Sequence, residues 1–348
     1  MIQSLTVNGL CGFGEERVIK FAVPNGKNGS GLTIVVGANN TGKTTILEAL
    51  RAFNSIKDNP PSFSERKRNI KCDGGKVHLK IITSENEKYV IDTINRGGST
   101  TIYRKEGFRE EDWFEGLELF ILPSRRFAEY EFYYNNMSRA DYIRNQQLNF
   151  INRSANIHEF NARLFKMQNN EENFNELLKR ILGYDLHWMI EQNDNGTYFL
   201  KLNMDGCVHS SEGIGDGIWS VFTICDALYD SQPNSFITID EPELSLHPAY
   251  QKKIMNLVKE YAKDRQIILN THSPYFIDFE SIINGGFLYR TSKNSNGDID
   301  INCLSDESRS NLTGFLNDFC QPHTLSTEAK EIFFLEDNVI LTEGKRML

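Results

Sequence analysis

Eight residues, Gly37-Ala38-Asn39-Asn40-Thr41-Gly42-Lys43-Thr44, limit what this chain can fold into more than any other stretch. Thr33-Ile34-Val35-Val36 before them is a short β-branched apolar run, and Thr45-Ile46-Leu47-Glu48-Ala49-Leu50 after them opens a helical pattern. A glycine loop between a strand and a helix is the context that separates a phosphate-binding loop from a chance match. Gly37 and Gly42 permit backbone angles and close approaches that a Cβ blocks. The loop amides and the positive helix end then face an anion. Lys43 is placed to reach the β- and γ-phosphates of ATP, and the Thr44 hydroxyl to coordinate Mg²⁺. Gly37, Asn39, Asn40, Gly42 and Thr45 complete the expected loop contacts.

A second half of the same site lies far downstream. Phe236 to Ile239 reads as a buried strand that ends on Asp240 and Glu241. A strand end delivers both carboxylates to the carboxyl edge of a parallel sheet, where ligands bind. Asp240 is expected to hold the Mg²⁺ shell and Glu241 to orient and polarise the attacking water. A helix from His247 to about Lys263 follows, then an apolar run, Gln266 to Leu269, leading into Asn270-Thr271-His272-Ser273-Pro274. His272, ending a second strand, is expected beside the carboxylates as a γ-phosphate contact. His247 reads as a helix-start residue. Upstream, Ser211-Glu212-Gly213 is either a segment that approaches a nucleotide or a hairpin-to-helix linker running from Ser210 to Gly217.

In this order the motifs resemble an ABC-type ATPase, of the SMC-like and RecF-like branch rather than a transporter. Ser211-Glu212-Gly213 is similar to the degenerate signature of OLD-like (overcoming lysogenization defect) ATPases. That resemblance implies that Ser211 and Gly213 meet the γ-phosphate held by a partner subunit, so that a homodimer closes two ATP sites. Gly215-Asp216-Gly217 departs from the pattern, in which Thr or Gln commonly follows. Asn338-Val339-Ile340-Leu341-Thr342-Glu343-Gly344-Lys345 resembles the first strand and glutamate of a TOPRIM fold, or is a last strand of the ATPase. In a TOPRIM domain Glu343 would be one acid of a metal set for phosphodiester cleavage; the other acids are absent from this sequence. The resemblance implies an α/β fold: a bilobed P-loop ATPase domain over residues 1–335, with an antiparallel β flank and a helical lobe over about 110–183. Residues 336–348 would then begin a truncated TOPRIM-like domain.

Composition narrows the setting. The 348 residues carry 38 Lys+Arg against 47 Asp+Glu, a net charge of −9, so any DNA contact must be a local patch. Cys11, Cys72, Cys207, Cys225, Cys303 and Cys320 have no paired metal spacing and read as reduced, mostly buried thiols of a cytoplasmic protein. No apolar stretch approaches membrane-spanning length, and Met1 to Val7 reads as a strand rather than a signal peptide. Residues 2–9, 17–23 and 32–36 read as strands; Lys76 to Thr83, Tyr89 to Asn95 and Thr100 to Arg104 add three with alternating burial.

The loop Pro60 to Gly75, with Arg66-Lys67-Arg68 and Lys71, is a solvated loop or a DNA-facing patch. Ser124-Arg125-Arg126, after a strand at Leu119 to Leu122, contacts phosphate or pairs with acidic neighbours. Aromatics from Tyr130 to Arg153 are core and interface or base-stacking platforms. Leu186 to Glu191 and Tyr198 to Asn203 flank the turn Asn193-Asp194-Asn195-Gly196. The leading expectation is an ATPase dimer that gates a linked TOPRIM DNA nuclease in anti-phage defence, with DNA and a defence-system protein or RNA as partners. A RecF-like repair clamp without nuclease activity and an ATP-locked scaffold are the alternatives.

Overall fold

The computed structural model describes residues 1–54, 63–94, 101–106, 119–124, 131–132, 164, 171–194, 198–204, 207–210 and 213–305. At its centre is a six-stranded sheet in the order β15-β14-β3-β13-β12-β7. Its strands are β3 (Leu32–Gly37), β7 (Leu119–Leu122), β12 (Phe236–Asp240), β13 (Gln266–Thr271), β14 (Phe287–Lys293) and β15 (Ile299–Cys303). All pairings are parallel except β14 with β15.

The apolar runs are continuous because both faces of this sheet are covered. Ile34, Val36, Ile237, Ile239, Ile267 and Leu269 point into one core; Val35 and Ile268 point into another. The first core is closed by three helices, α2 (Glu171–Leu182), α3 (Asp216–Asp230) and α4 (Pro248–Tyr261). Phe174 of α2 meets Trp188, Phe222 and Tyr229 edge-on at 5.6–6.0 Å, fastening α2 and α3 to a small antiparallel sheet. That sheet is made of β8 (Glu131–Phe132), β9 (His187–Gln192), β10 (Tyr198–Met204) and β11 (Cys207–Ser210), with β10 pairing the other three.

The second core joins α1 (Lys43–Asn54) to an antiparallel five-stranded sheet. Its strands are β1 (Ile2–Asn8), β2 (Arg17–Lys20), β4 (His78–Thr83), β5 (Lys88–Thr93) and β6 (Thr101–Lys105), in the order β2-β1-β4-β5-β6. The expected antiparallel flank is present, its strands one to three residues shorter at several ends. The strand read over 17–23 stops at Lys20, after which the Ala22 amide turns to the Thr33 hydroxyl instead of the ladder. The helix expected from His247 begins at Pro248, since proline at a first helical position leaves no donor unpaired and His247 Nδ1 caps the Ala249 amide. Of the 110–183 stretch the structure describes α2, β7, β8 and short joining pieces; the Tyr130–Arg153 aromatics lie, β8 apart, outside the described residues. The cysteine expectation needs correcting in part. Cys225 is buried, whereas Cys11 and Cys72 are half-buried and Cys303 is exposed, because the latter three lie on loops or at a sheet edge.

One polar side chain binds the two sheets. Gln266, 1% exposed at the start of β13, accepts from the Ile2 amide (2.8 Å) and donates to the carbonyls of Ile2 (2.7 Å) and Ala22 (2.9 Å). Replacing it with leucine leaves three buried backbone groups unpaired, each costing about 1–3 kcal/mol. Gln266→Leu is therefore expected to lower the unfolding free energy by at least about 2 kcal/mol, seen as a lower urea midpoint with little change in slope; an unchanged midpoint would contradict this role.

Candidate functional site

Because β3, β13 and β12 are parallel neighbours, their carboxyl ends open onto one edge, with Val36 level with Thr271 and Asp240 level with Asn270. The phosphate-type loop leaves β3 there and runs into α1, the strand–loop–helix context read from the sequence. Thr44 Oγ1 lies 3.4 Å from Asp240 Oδ2, although 196 positions separate them. His272 Nε2 lies 3.8 Å from Glu241 Oε1. Lys43, Thr44, Asp240, Glu241 and His272 are thus brought to one place, as expected.

Lys43 is buried, and its ammonium donates to the carbonyls of Gly37 (3.0 Å) and Ala38 (2.8 Å). Burial pulls its pKa below the usual lysine range, against the attraction of Glu241, Asp240 and Glu243. Burial also pushes the Asp240 carboxyl above the usual range, helped by Glu241, while bonds from Asn270 and Thr44 and the Lys43 charge act the other way. His272 is held below the ordinary histidine range by burial and then by Lys43, with Glu241 opposing. A buried carboxylate beside a hydroxyl offers the oxygen donors that a hard divalent cation prefers.

Asn39 and Asn40 are exposed at the loop's tip, Asn40 with φ +62°, and Thr45 lies on the first turn of α1. Ser211 lies outside the described residues. Gly213 is exposed beside His209, and among the described residues no hydrogen bond joins it to the loop. Glu343 and residues 336–348 also lie outside them, as do Arg125 and Arg126. Three basic side chains of the basic loop are paired, and Arg66 is exposed. Lys67 pairs with Glu48 (3.1 Å), Arg68 bonds the carbonyls of Phe63 and Ile94, and Lys71 pairs with Asp298 (3.2 Å).

Sequence reading missed three contributors. Asn270 donates to the Lys43 carbonyl (2.8 Å) and to Asp240 Oδ1 (3.2 Å). Thr291 on β14 shares a 2.7 Å hydrogen bond with Thr41 of the loop. Glu243 accepts from Thr271 Oγ1 (2.8 Å) and the His272 amide (2.5 Å). The signal for Asn270 was a polar residue inside an apolar strand; Thr291 had none, since β14 itself went unread.

With this geometry in place, residues 32–278 match the protein family described as "AAA domain, putative AbiEii toxin, Type IV TA system", more than half of the chain. The chain belongs to this family. It is 26% identical over 292 residues to the Septu protein PtuA of Bacillus thuringiensis, covering 72% of this chain and 68% of that protein. Its fold resembles a Smc head bound to the C-winged helix domain of ScpA, at TM-score 0.58 and 18% identity over 89% of this chain and 99% of that one. A Pyrococcus furiosus Smc head bound to the C-terminal domain of ScpA gives TM-score 0.55 and 15% identity over 92% and 99%. The chain is an AAA-type ATPase domain with an SMC-head-like, ABC-type fold.

Gly37 answers to its neighbour strand as well as to any phosphate. At φ +155° its added Cβ would lie 2.5 Å from the Thr291 carbonyl oxygen and 2.3 Å from its hydroxyl. Gly37→Ala is expected to lose about 1–3 kcal/mol of stability without any nucleotide present, measured by denaturant unfolding. A variant as stable as wild type but deficient in nucleotide binding would place the glycine's requirement at the phosphate alone.

Proposed function

We propose that this chain binds and hydrolyses ATP with Mg²⁺ as a homodimer whose two sites are each completed by the partner copy, and that it serves anti-phage defence. The observation that carries the reading is the convergence of Lys43, Thr44, Asp240, Glu241 and His272 at the carboxyl edge of three parallel strands. Lys43 and the loop residues Gly37, Asn39, Asn40, Gly42 and Thr45 take the phosphates, while Thr44 and Asp240 hold the cation. The bound Mg²⁺ neutralises charge developing on the phosphates. Glu241 orients the attacking water, and His272 donates to the γ-phosphate or that water. Ser211 and Gly213, which precede α3 in sequence, meet the partner's nucleotide.

The similarity to a Septu protein supports the defence setting. A finer reading rests on residues 338–345 alone: Glu343 begins a TOPRIM-like nuclease domain, with DNA as its substrate, that the ATPase dimer regulates. No helix among the described residues is long and apolar enough to cross a membrane.

Glu241→Gln keeps the phosphate and metal groups and loses the water-orienting base. It should bind ATP as wild type does, turn over about 10²–10⁴ times more slowly, and accumulate as an ATP-bound dimer on size exclusion with light scattering. Wild-type turnover would remove Glu241 from the reaction. For the shared site, mixing Lys43→Ala with Ser211→Arg should recover activity, because one of the two sites in a mixed dimer is intact. Phosphate release no higher than the average of the two inactive parents would mean that each site is complete within one chain.

A further inference from the structure

The turn after Asp240 is built in a way that the ATPase reading does not by itself require. Glu241 and Ser245 both adopt left-handed backbone angles, φ +46° and +63°, where non-glycine residues are strained. Such a turn persists only where its surroundings over-determine it. Two contacts do so here, and both end on Thr271 to Ser273, at and just past the end of β13.

The first is Glu243, a half-buried carboxylate. Its Oε1 accepts from the His272 amide at 2.5 Å and its Oε2 from the Thr271 hydroxyl at 2.8 Å. Thr271 Oγ1 in turn accepts from the Ser273 amide (2.9 Å). The second is Gln251 of α4, which donates to the Leu246 carbonyl at 2.8 Å and accepts from Ser273 Oγ at 2.6 Å. Leu246 closes the circuit, its amide donating to the Glu243 carbonyl (2.9 Å), while Leu244 donates to Glu241 (3.0 Å). Carboxylate turn and histidine turn therefore form one hydrogen-bonded unit.

We propose that Glu243 is a positioning residue: it holds the His272 backbone against the carboxylate turn, so that the imidazole and the Glu241 carboxylate face the same reacting atoms. The proposal rests on the ATPase reading for the roles of Glu241 and His272, but the clamp is a property of the chain alone. Short charge-assisted bonds to a backbone amide are stronger than neutral ones and leave little angular freedom. Burial pushes the Glu243 carboxyl upward, and the His272 amide is the foremost group opposing it. Glutamine at this position keeps the volume but offers one acceptor where two are needed.

The experiment compares wild type, Glu243→Gln, His272→Ala and the double variant for ATP turnover. It adds amide spectra of protein labelled with ¹⁵N-histidine, in which the seven histidines give a small, assignable set. Glu243→Gln should lower kcat about 10- to 100-fold, the scale of small misplacements of a reacting group, with KM for ATP within a factor of three. The double variant should be no slower than His272→Ala. The His272 amide resonance, shifted downfield by its short bond to carboxylate, should move upfield in Glu243→Gln, and Glu243→Asp, which keeps the charge on a shorter arm, should fall between. Wild-type kcat in Glu243→Gln, or losses that multiply in the double variant, would overturn the proposal, as would an unmoved His272 amide. If wild type itself shows no turnover that Lys43→Ala abolishes, the ATPase reading fails, and the amide shift still decides whether the clamp exists.

Discussion

Asn270 donates from one amide nitrogen to the Lys43 carbonyl, at the first turn of α1, and to the Asp240 carboxylate. One of the two groups ends β12 and the other opens the helix that follows β3, the two strands flanking β13, and everything proposed for the site depends on their staying in register. Only the nitrogen can face two acceptors, so the orientation of the side chain follows from chemistry. With Asn270 fully buried, the bonds form in a medium of low dielectric and are correspondingly hard to replace. Asp240 is thereby presented to Thr44 in a fixed attitude.

Around that link, opposite charges are buried close together. Lys43 is buried with three carboxylates in its field, and Asp240 and Glu243 are both pushed toward protonation by burial. His272 is held below the ordinary histidine range by burial and by Lys43.

Motifs with local signatures were legible before any coordinates. The glycine loop, the strand ending on Asp240 and Glu241, and the strand ending on His272 each combine an apolar run with punctuation, and each lies where read. In the antiparallel flank β4 alternates in burial along its length, whereas β1 and β5 are buried along most of theirs. What escaped depends on partners distant in sequence: Glu243 reads as one more acid in a polar turn until Thr271 and His272 are beside it. Gln266 looks like a strand-start residue until Ile2, 264 positions away, is paired with it. Strand β14 went unread although Asn284-Gly285-Gly286 precedes it and Asn296-Gly297 follows it; helix α3 has Gly215 at its N-cap and no side-chain cap to mark its start.

The double burial of the central sheet has a further consequence. When one face of a sheet is wet, a one-residue slip of a strand exposes its apolar side chains, and the hydrophobic pattern alone forbids it. Here both faces are dry, and β3 and β13 are apolar on each side, so a slip would merely exchange Val35 with Ile34 between two oily environments. Register must be written in polar ink instead: Thr33 bonded to Ala22, Gln266 to Ile2, Asn270 to Asp240 and Thr291 to Val36, one or two such anchors on each of three adjoining strands. These four hydrophilic side chains are thus indexing marks of the sheet, and two of them lie at the end where the loop emerges.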